Sequence, residues 1–158
     1  MVGWIGDDKA DIHPVVFADA DFAGCMATSR STSGAFMTLR GPDTRFPLGA
    51  NATKQKCVSH STTESEIVAA DAALRLEGLP SIALWECILQ RDIVLTVYED
   101  NEAMIKIMMS GRNPTMRHVG RTDRVSIQWL HELFQEPYLK LEHVDTKRQA
   151  ADIFTKAF

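Results

Sequence analysis

Apolar positions along the chain change period several times, and each change marks an element. In Val15-Val16-Phe17-Ala18-Asp19-Ala20-Asp21, alternation puts Val16, Ala18 and Ala20 on one face and Phe17, Asp19 and Asp21 on the other. The stretch reads as a buried strand that runs into two carboxylates. Ser33 to Leu39 reads as a second strand, Gly41-Pro42-Asp43 as a turn, and Arg45 to Ala50 as a third strand. Together they predict an antiparallel meander. Lys54-Gln55-Lys56-Cys57-Val58 then leads, with a basic character, into the next element.

A helix is predicted from about Thr63. Ser61-Thr62-Thr63-Glu64 is a capping box, and Thr63 to Glu66 fits the same template, so the first turn carries one acid more than it needs. Helical phase separates the two acids. Glu64, Asp71, Arg75 and Gly78 share a polar stripe, whereas Glu66 lies in line with Ala69, Ala70 and Ala73, where small residues let a helix approach a sheet. Pro80 is expected to break the helix, with Ser81 to Gln90 continuing as a second piece. Ile93 to Tyr98 is a near-continuous apolar run, the pattern of a central strand covered on both faces, and ends in Glu99-Asp100-Asn101. An amphipathic helix, Glu102 to Met109, follows at once. Asn101 can cap it, which leaves Asp100 free. Gly111 to Arg124 reads as a solvated loop. Beyond it come a helix from about Asp123 to Phe134 (buried side Val125, Ile127, Trp129, Leu130 and Leu133), a strand from Tyr138 to Val144 and a final helix from Gln149 to Phe158. Strand, acidic end, helix is the grammar of an open α/β sheet, whose sites lie at the carboxyl ends of strands.

Bulk composition narrows the class. The chain has 158 residues, 45% hydrophobic and 24% charged, enough for one globular domain with a real core. Residues 1–14 are polar and acidic, with Trp4 and Ile5 as their apolar anchors, and read as a lead-in from something upstream. No apolar run approaches membrane-spanning length and the start lacks a signal-peptide pattern, so no membrane partner is expected. Cys25, Cys57 and Cys87 are odd in number and widely spaced, which argues against a disulfide framework and for a reducing, intracellular compartment. The net charge of −4 excludes a nonspecific polycation but not a local basic patch.

Candidate chemistry concentrates in four acidic positions. They are Asp19 at a strand end (with Asp21 on the same face as its alternative), Glu66 on the sheet-facing helix turn, Asp100 at the next strand end and Asp152 near the C-terminus. Oxygen ligands without His or Cys suit Mg²⁺ or Mn²⁺, and four carboxylates can hold two such ions about 3.5–4 Å apart for phosphoryl displacement. Cys57 and His60 form a lone close Cys/His pair, so zinc is disfavoured. There is no Gly-x-Ser-x-Gly elbow and no phosphate-cradling glycine loop.

Several blocks, in order, carry a family resemblance: Asp19-Ala20-Asp21-Phe22-Ala23-Gly24, Arg30-Ser31-Thr32-Ser33-Gly34, Lys54-Gln55-Lys56 with Val58, Ser61-Thr62-Thr63-Glu64-Ser65-Glu66, Glu99-Asp100-Asn101, and Asp145-Thr146 with Gln149 to Lys156. With them the chain resembles the ribonuclease H domain of copia-type LTR retrotransposon Pol polyproteins, covering residues 15–158. The resemblance implies an α/β, ribonuclease H-like fold: a five-stranded mixed sheet, three strands antiparallel plus two parallel, flanked by helices. It implies catalytic, metal-binding acids at Asp19, Glu66, Asp100 and Asp152, choosing Asp19 over Asp21. The activity implied is two-metal-ion hydrolysis of the RNA strand of RNA–DNA hybrids, leaving 3′-hydroxyl and 5′-phosphate ends, with Mg²⁺ as cofactor and Mn²⁺ as substitute. The alternative is a catalytically inactive connection or nucleic-acid-binding domain of the same fold.

The resemblance also implies partners: the hybrid itself and a reverse transcriptase domain of the same polyprotein, in the cytoplasm or in virus-like particles. Gly24, Arg30, Ser31, Ser33 and Asn101 become substrate-contact candidates near the RNA strand. Arg117 and Arg121, with Arg112 and Arg124 around them, become phosphate-contact candidates, because the acidic remainder would repel the substrate. Three positions depart from the family pattern: Phe22 stands where Trp is frequent, Arg117-His118-Val119-Gly120 replaces a basic-His-Ile-Asp run, and His143 stands where Tyr is common.

Overall fold

In the computed structural model, which describes residues 2–156, the first strand, β1, spans His13–Asp21 and starts two residues ahead of the apolar run. It pairs antiparallel with β2 (Thr32–Arg40), which pairs antiparallel with β3 (Arg45–Lys54), four residues longer than expected. On the other side β1 pairs parallel with β4 (Leu95–Glu99), and β4 parallel with β5 (Leu139–His143). The order β3-β2-β1-β4-β5 is the expected five-stranded mixed sheet.

The two faces of β1 divide the core. Val16 and Ala18 face helix α1 (Thr62–Ala73), which lays Ile67, Ala70 and Ala73 on the sheet, with Leu95, Val97, Met104 and Leu130 completing the layer. Val15 and Phe17 face the opposite layer, with Val144 and Ala151; the Phe17 and Tyr98 rings stack at 5.1 Å. The lead-in is fastened to this frame. Trp4 bridges to Arg45, the Asp7 carboxylate accepts from the Asp43 amide, and Ile12 packs with Leu89 and Ile93.

Several expectations change. Pro80 does not break the helix: α1 passes through a π-turn, Leu74–Gly78, into α2 (Leu79–Leu89). The Leu79 amide donates to the Leu74 carbonyl, and this wider turn lets Pro80 enter where its missing N–H costs least. Asn101 caps α3 (Glu102–Ser110) by accepting from the Met104 amide, as expected. The 111–124 loop is not simply solvated: it holds a 3₁₀ turn, Pro114–Met116, and a short α4 (Val119–Thr122), anchored by buried Met116, Val119 and Val125. The next helix, α5 (Ile127–Leu133), starts at its Ser126 cap rather than at Asp123, and Trp129 is 36% exposed instead of buried.

The expected final helix is instead two 3₁₀ turns, Thr146–Arg148 and Asp152–Phe154; its last two positions, 157 and 158, lie outside the described residues. Among the described residues no helix is long and apolar enough to cross a membrane.

Candidate active site

Three elements deliver three carboxylates to one point. Asp19 sits near the carboxyl end of β1, Asp100 just past the end of β4, and Glu66 on the first turns of α1, where the alanine row holds the helix against β1 and β2. Each offers a carboxylate oxygen within 4.8 Å of the others. Because β1 and β4 run parallel and adjacent, both acids emerge at the same end of the sheet. The Asn101 cap leaves the Asp100 side chain out of the backbone bonding of α3.

Burial sets the electrostatics. Asp19 is 7% and Glu66 4% exposed. Burial pushes the Asp19 carboxyl above the usual range, the Thr155 hydrogen bond opposes it, and the charges of Asp100 and Asp152 add to it. Glu66 is pushed up to about 10 by burial, then by Glu99, Asp19 and Asp100, with the Ala20 amide opposing. Its Oε2 has no hydrogen-bond partner. Glu99, fully buried beside Asp100, is raised by burial too; Oε1 accepts from the Asn101 amide while Oε2 is unpartnered. A cluster of buried acids with unpartnered oxygens is costly by itself, and a hard divalent cation satisfies it. The donor set therefore fits Mg²⁺ or Mn²⁺.

Asp152 does not join this cluster. Its carboxylate pairs with Lys156 at the surface, close enough to Asp19 to act on it only through charge. The same segment supplies two side chains that the sequence pattern did not single out. Thr155 Oγ1 donates to Asp19 Oδ2 at 2.8 Å, and Gln149 Nε2 donates to the Ala18 carbonyl at 2.7 Å. Gly34, opposite Asp19 in the ladder, makes room: a Cβ there would lie 2.6 Å from Thr155 Cγ2. Glu99 was equally hidden in the sequence, since a strand-end glutamate ordinarily points to water.

The outer side of α1 also departs from expectation. Glu64 is 2% exposed, not part of a solvent-facing stripe. Its Oε2 accepts from the His60 amide and lies 3.2 Å from His118 Nε2, so the 111–124 loop covers it. The Glu64 amide in turn donates to Ser61 Oγ, so the hydroxyl half of the capping box forms while the carboxylate reaches one residue further back, to the His60 amide. Asp71 is also buried, paired with exposed Arg75 at 3.5 Å. Arg112, Arg117, Arg121 and Arg124 point outward, and a cleft of about 400 Å³ is lined by Arg112, Asn113, Arg117 and Ser126. That cleft belongs to the arginine loop, not to the acids.

The remaining substrate candidates divide. Arg30 is exposed in the β1–β2 loop. Gly24 lies there too, where a Cβ would overlap the Asp21 carboxylate. Ser31 and Ser33 are buried and engaged within the fold: Ser31 Oγ accepts from the Ala23 amide, and Ser33 Oγ from Gln55 Nε2. Asn101 Oδ1 is held by its capping bond. The Lys54 ammonium at the end of β3, 2.9 Å from Cys25 Sγ in the β1–β2 loop, and then Thr28 pull the Cys25 thiol down to about 6. His143, opposite Glu99 in the ladder, is exposed at the strand end.

No family model matches the chain. In sequence it is similar to the retrovirus-related Pol polyprotein from transposon TNT 1-94 of Nicotiana tabacum, 28% identical over 143 residues. That match covers 89% of this chain and 10% of the relative, so the chain spans about a tenth of the length of the curated relative it matches. In structure it is similar to LC11-RNase H1, solved in complex with an RNA/DNA hybrid, at TM-score 0.60 and 16% identity, covering 89% of this chain and 92% of that one. The N-terminal RNase H domain of Rv2228c from Mycobacterium tuberculosis gives TM-score 0.57 and 15% identity, with 91% of each chain covered. A foamy viral protease-reverse transcriptase, solved with double-stranded DNA, gives TM-score 0.51 and 11% identity, covering 95% and 94%.

Proposed function

From a ribonuclease H fold with sequence likeness to a transposon Pol polyprotein, we propose that this chain is a metal-dependent endoribonuclease. It cleaves the RNA strand of RNA–DNA hybrids, in reverse transcription, next to a reverse transcriptase domain of the same polyprotein. The observation that carries the reading is the convergence of Asp19, Glu66 and Asp100 from three separate elements, with an unpartnered oxygen on buried Glu66.

Asp19, Glu66 and Asp100 would hold Mg²⁺, and Asp152 would serve a second ion after releasing Lys156. Bound there, the divalent ions supply Lewis-acid stabilisation of phosphate charge and a nucleophilic water at neutral pH. Thr155 fixes the Asp19 carboxylate by its hydrogen bond, so one oxygen is committed to the fold and the other is left for the ligand. Glu66 is held rigidly by α1, which favours a defined geometry over a mobile one. Arg30 and the backbone around Gly24 face the RNA strand, where 2′-hydroxyls distinguish RNA from DNA. Arg117 and Arg121 contact phosphates from a loop that His118 ties to α1.

The test is cleavage of end-labelled RNA–DNA hybrid, double-stranded RNA and double-stranded DNA by the purified chain, with Mg²⁺ and with EDTA. The expected outcome is Mg²⁺-dependent cutting confined to the RNA of the hybrid, giving 5′-phosphate ends. Equal cutting of double-stranded DNA, or full activity in EDTA, overturns the reading. Tight hybrid binding without cleavage under either condition would favour the inactive connection domain.

A further inference from the structure

The outer side of α1 holds another buried carboxylate, about two turns beyond Glu64. Asp71 is 7% exposed, and its Oδ1 has no hydrogen-bond partner. Its Oδ2 meets Arg75 at 3.5 Å, a side chain that is itself 56% exposed. Burial pushes the Asp71 carboxyl above its usual range, and Arg75 opposes the shift. A buried acceptor with one open oxygen is costly until a donor reaches it.

That carboxylate lines a cavity of about 180 Å³, together with Arg75, Arg124, Ser126 and Trp129. Trp129, 36% exposed at the first turn of α5, offers an indole face. Ser126 Oγ accepts from the Trp129 amide, and its O–H is left to donate. Arg124 reaches the cavity from a left-handed backbone, φ 61°, uncommon for a residue with a side chain. Ser126 also borders the larger cleft of Arg112 and Arg117, so a strand whose phosphates follow the arginine loop passes the cavity.

These walls select a class of ligand. Two guanidiniums disfavour a lysine or arginine side chain as the partner of Asp71 and favour a phosphate nearby. A purely apolar group would leave the carboxylate unanswered. A flat ring with N–H donors and an attached anion answers all the walls together, since bases stack on aromatic faces and bond along their edges. The cavity is smaller than the roughly 300–1,000 Å³ of drug-sized sites, so one ring system enters and its sugar and phosphate stay outside. Among the bases, guanine alone sets two donors, N1–H and N2–H, side by side on its Watson–Crick edge. Adenine and cytosine put a ring-nitrogen lone pair there, and uracil flanks its one N–H with carbonyls; each would turn an acceptor toward the carboxylate.

We propose that this cavity is a pocket for an unpaired guanine base, with N1–H and N2–H on Asp71, O6 toward the Ser126 hydroxyl and the ring against Trp129. Arg75 swings off Oδ2 and, with Arg124, meets the phosphate. The base comes either from a free guanosine nucleotide or from an unpaired position in a bound strand. The second source rests on the reading of the chain as a hybrid nuclease, and the first does not.

The indole N–H signals of Trp4, Trp85 and Trp129 are followed by NMR in metal-free protein during titration with GMP, AMP, CMP and UMP. The Trp129 signal is expected to move saturably, with GMP bound at least about tenfold more tightly than the other three. Asp71→Asn, which keeps the shape and turns an acceptor into a donor, should lose that preference and favour xanthosine monophosphate, whose C2 carbonyl replaces the guanine amino group. Equal responses to the four nucleotides, or no response of Trp129, overturn the pocket. So does a GMP preference retained in Asp71→Asn. A hybrid with one unpaired guanosine at its end, compared in EDTA with ends of adenosine, cytidine and uridine, identifies the source. Tighter binding of the guanosine end with a Trp129 shift assigns the pocket to a strand, and a response to GMP alone assigns it to a free nucleotide. Cleavage of a blunt hybrid decides the nuclease reading separately.

Discussion

Two glutamates on the first turns of α1 are both almost fully buried and have opposite surroundings. Glu64, on the outer side, accepts from the His60 amide and meets the His118 ring. Glu66, on the sheet side, meets Asp19, Asp100 and Glu99, and one of its oxygens meets nothing. Around Glu64 the outer side is finished: the His60 amide and the His118 ring both meet its carboxylate and tie it to loops. The inner side gathers buried acids around an unpartnered oxygen, and on the proposed reading this asymmetry gives structure to one glutamate and chemistry to the other.

The sharpest way to break the comparison is to neutralise each glutamate in turn. Glu66→Gln is expected to lower hybrid cleavage by at least about a thousandfold, roughly 4 kcal/mol of transition-state stabilisation. Glu64→Gln keeps an acceptor for the His60 amide, should leave cleavage near wild type, and should cost at most about 1 kcal/mol of stability. The reverse ranking in single-turnover cleavage would exchange their roles.

Acidity probes the same contrast without substrate. The folded-state values of Glu66, Glu99 and Asp19 are raised, so the folded metal-free protein binds more protons than the unfolded chain above their ordinary range. Their contribution to stability is fully present below the ordinary carboxylate range, about pH 4, and is lost as pH rises toward the Glu66 value of about 10. Melts in EDTA from pH 5 to 9 should show this decline, Asp19→Asn and Glu66→Gln should each flatten it and raise the melting point at pH 8, and millimolar Mg²⁺ should reverse it in wild type alone. Asp19→Asn less stable than wild type in EDTA would make Asp19 a structural hydrogen-bonding residue and move the site toward Asp21.

On the outer side the expected effects are smaller. His118→Ala leaves Glu64 buried with only the His60 amide, which should cost about 1–3 kcal/mol in denaturant unfolding. It should also raise proteolytic nicking of the 111–124 loop. Smallest of all, Arg117→Glu or Arg121→Glu should reduce the slope of log K against log salt by about 1 or somewhat more in hybrid binding. An unchanged slope in both would take that loop off the phosphate backbone.

The elements legible in the sequence were those in which one residue pattern decides the outcome. β1 and β4 followed from their apolar runs, α1 from its capping box, and the inward side of Glu66 from helical phase alone. What escaped depended on contacts far apart in the chain. Nothing local marks Glu99 as buried, because its environment comes from β1 and α1. Apolar spacing after Gln149 suggested a helix, but Gln149 and Thr155 bond to β1 instead and hold the segment in turns. Pro80 looked like a stop, and a π-turn upstream absorbed it. The outer stripe of α1 has a polar sequence, and only the folded loop over it makes Glu64 internal.

The clip between Thr155 and Asp19 joins residues 136 positions apart, and that between Gln149 and Ala18 spans 131. Contacts of such separation form after the elements between them, since the intervening chain must first be collected. During translation β1 leaves the ribosome early, but its first aspartate waits for the end of the domain to be made before it is fixed in place. A nascent polypeptide truncated before Gln149 therefore carries every acid of the inner cluster without the braces that orient Asp19.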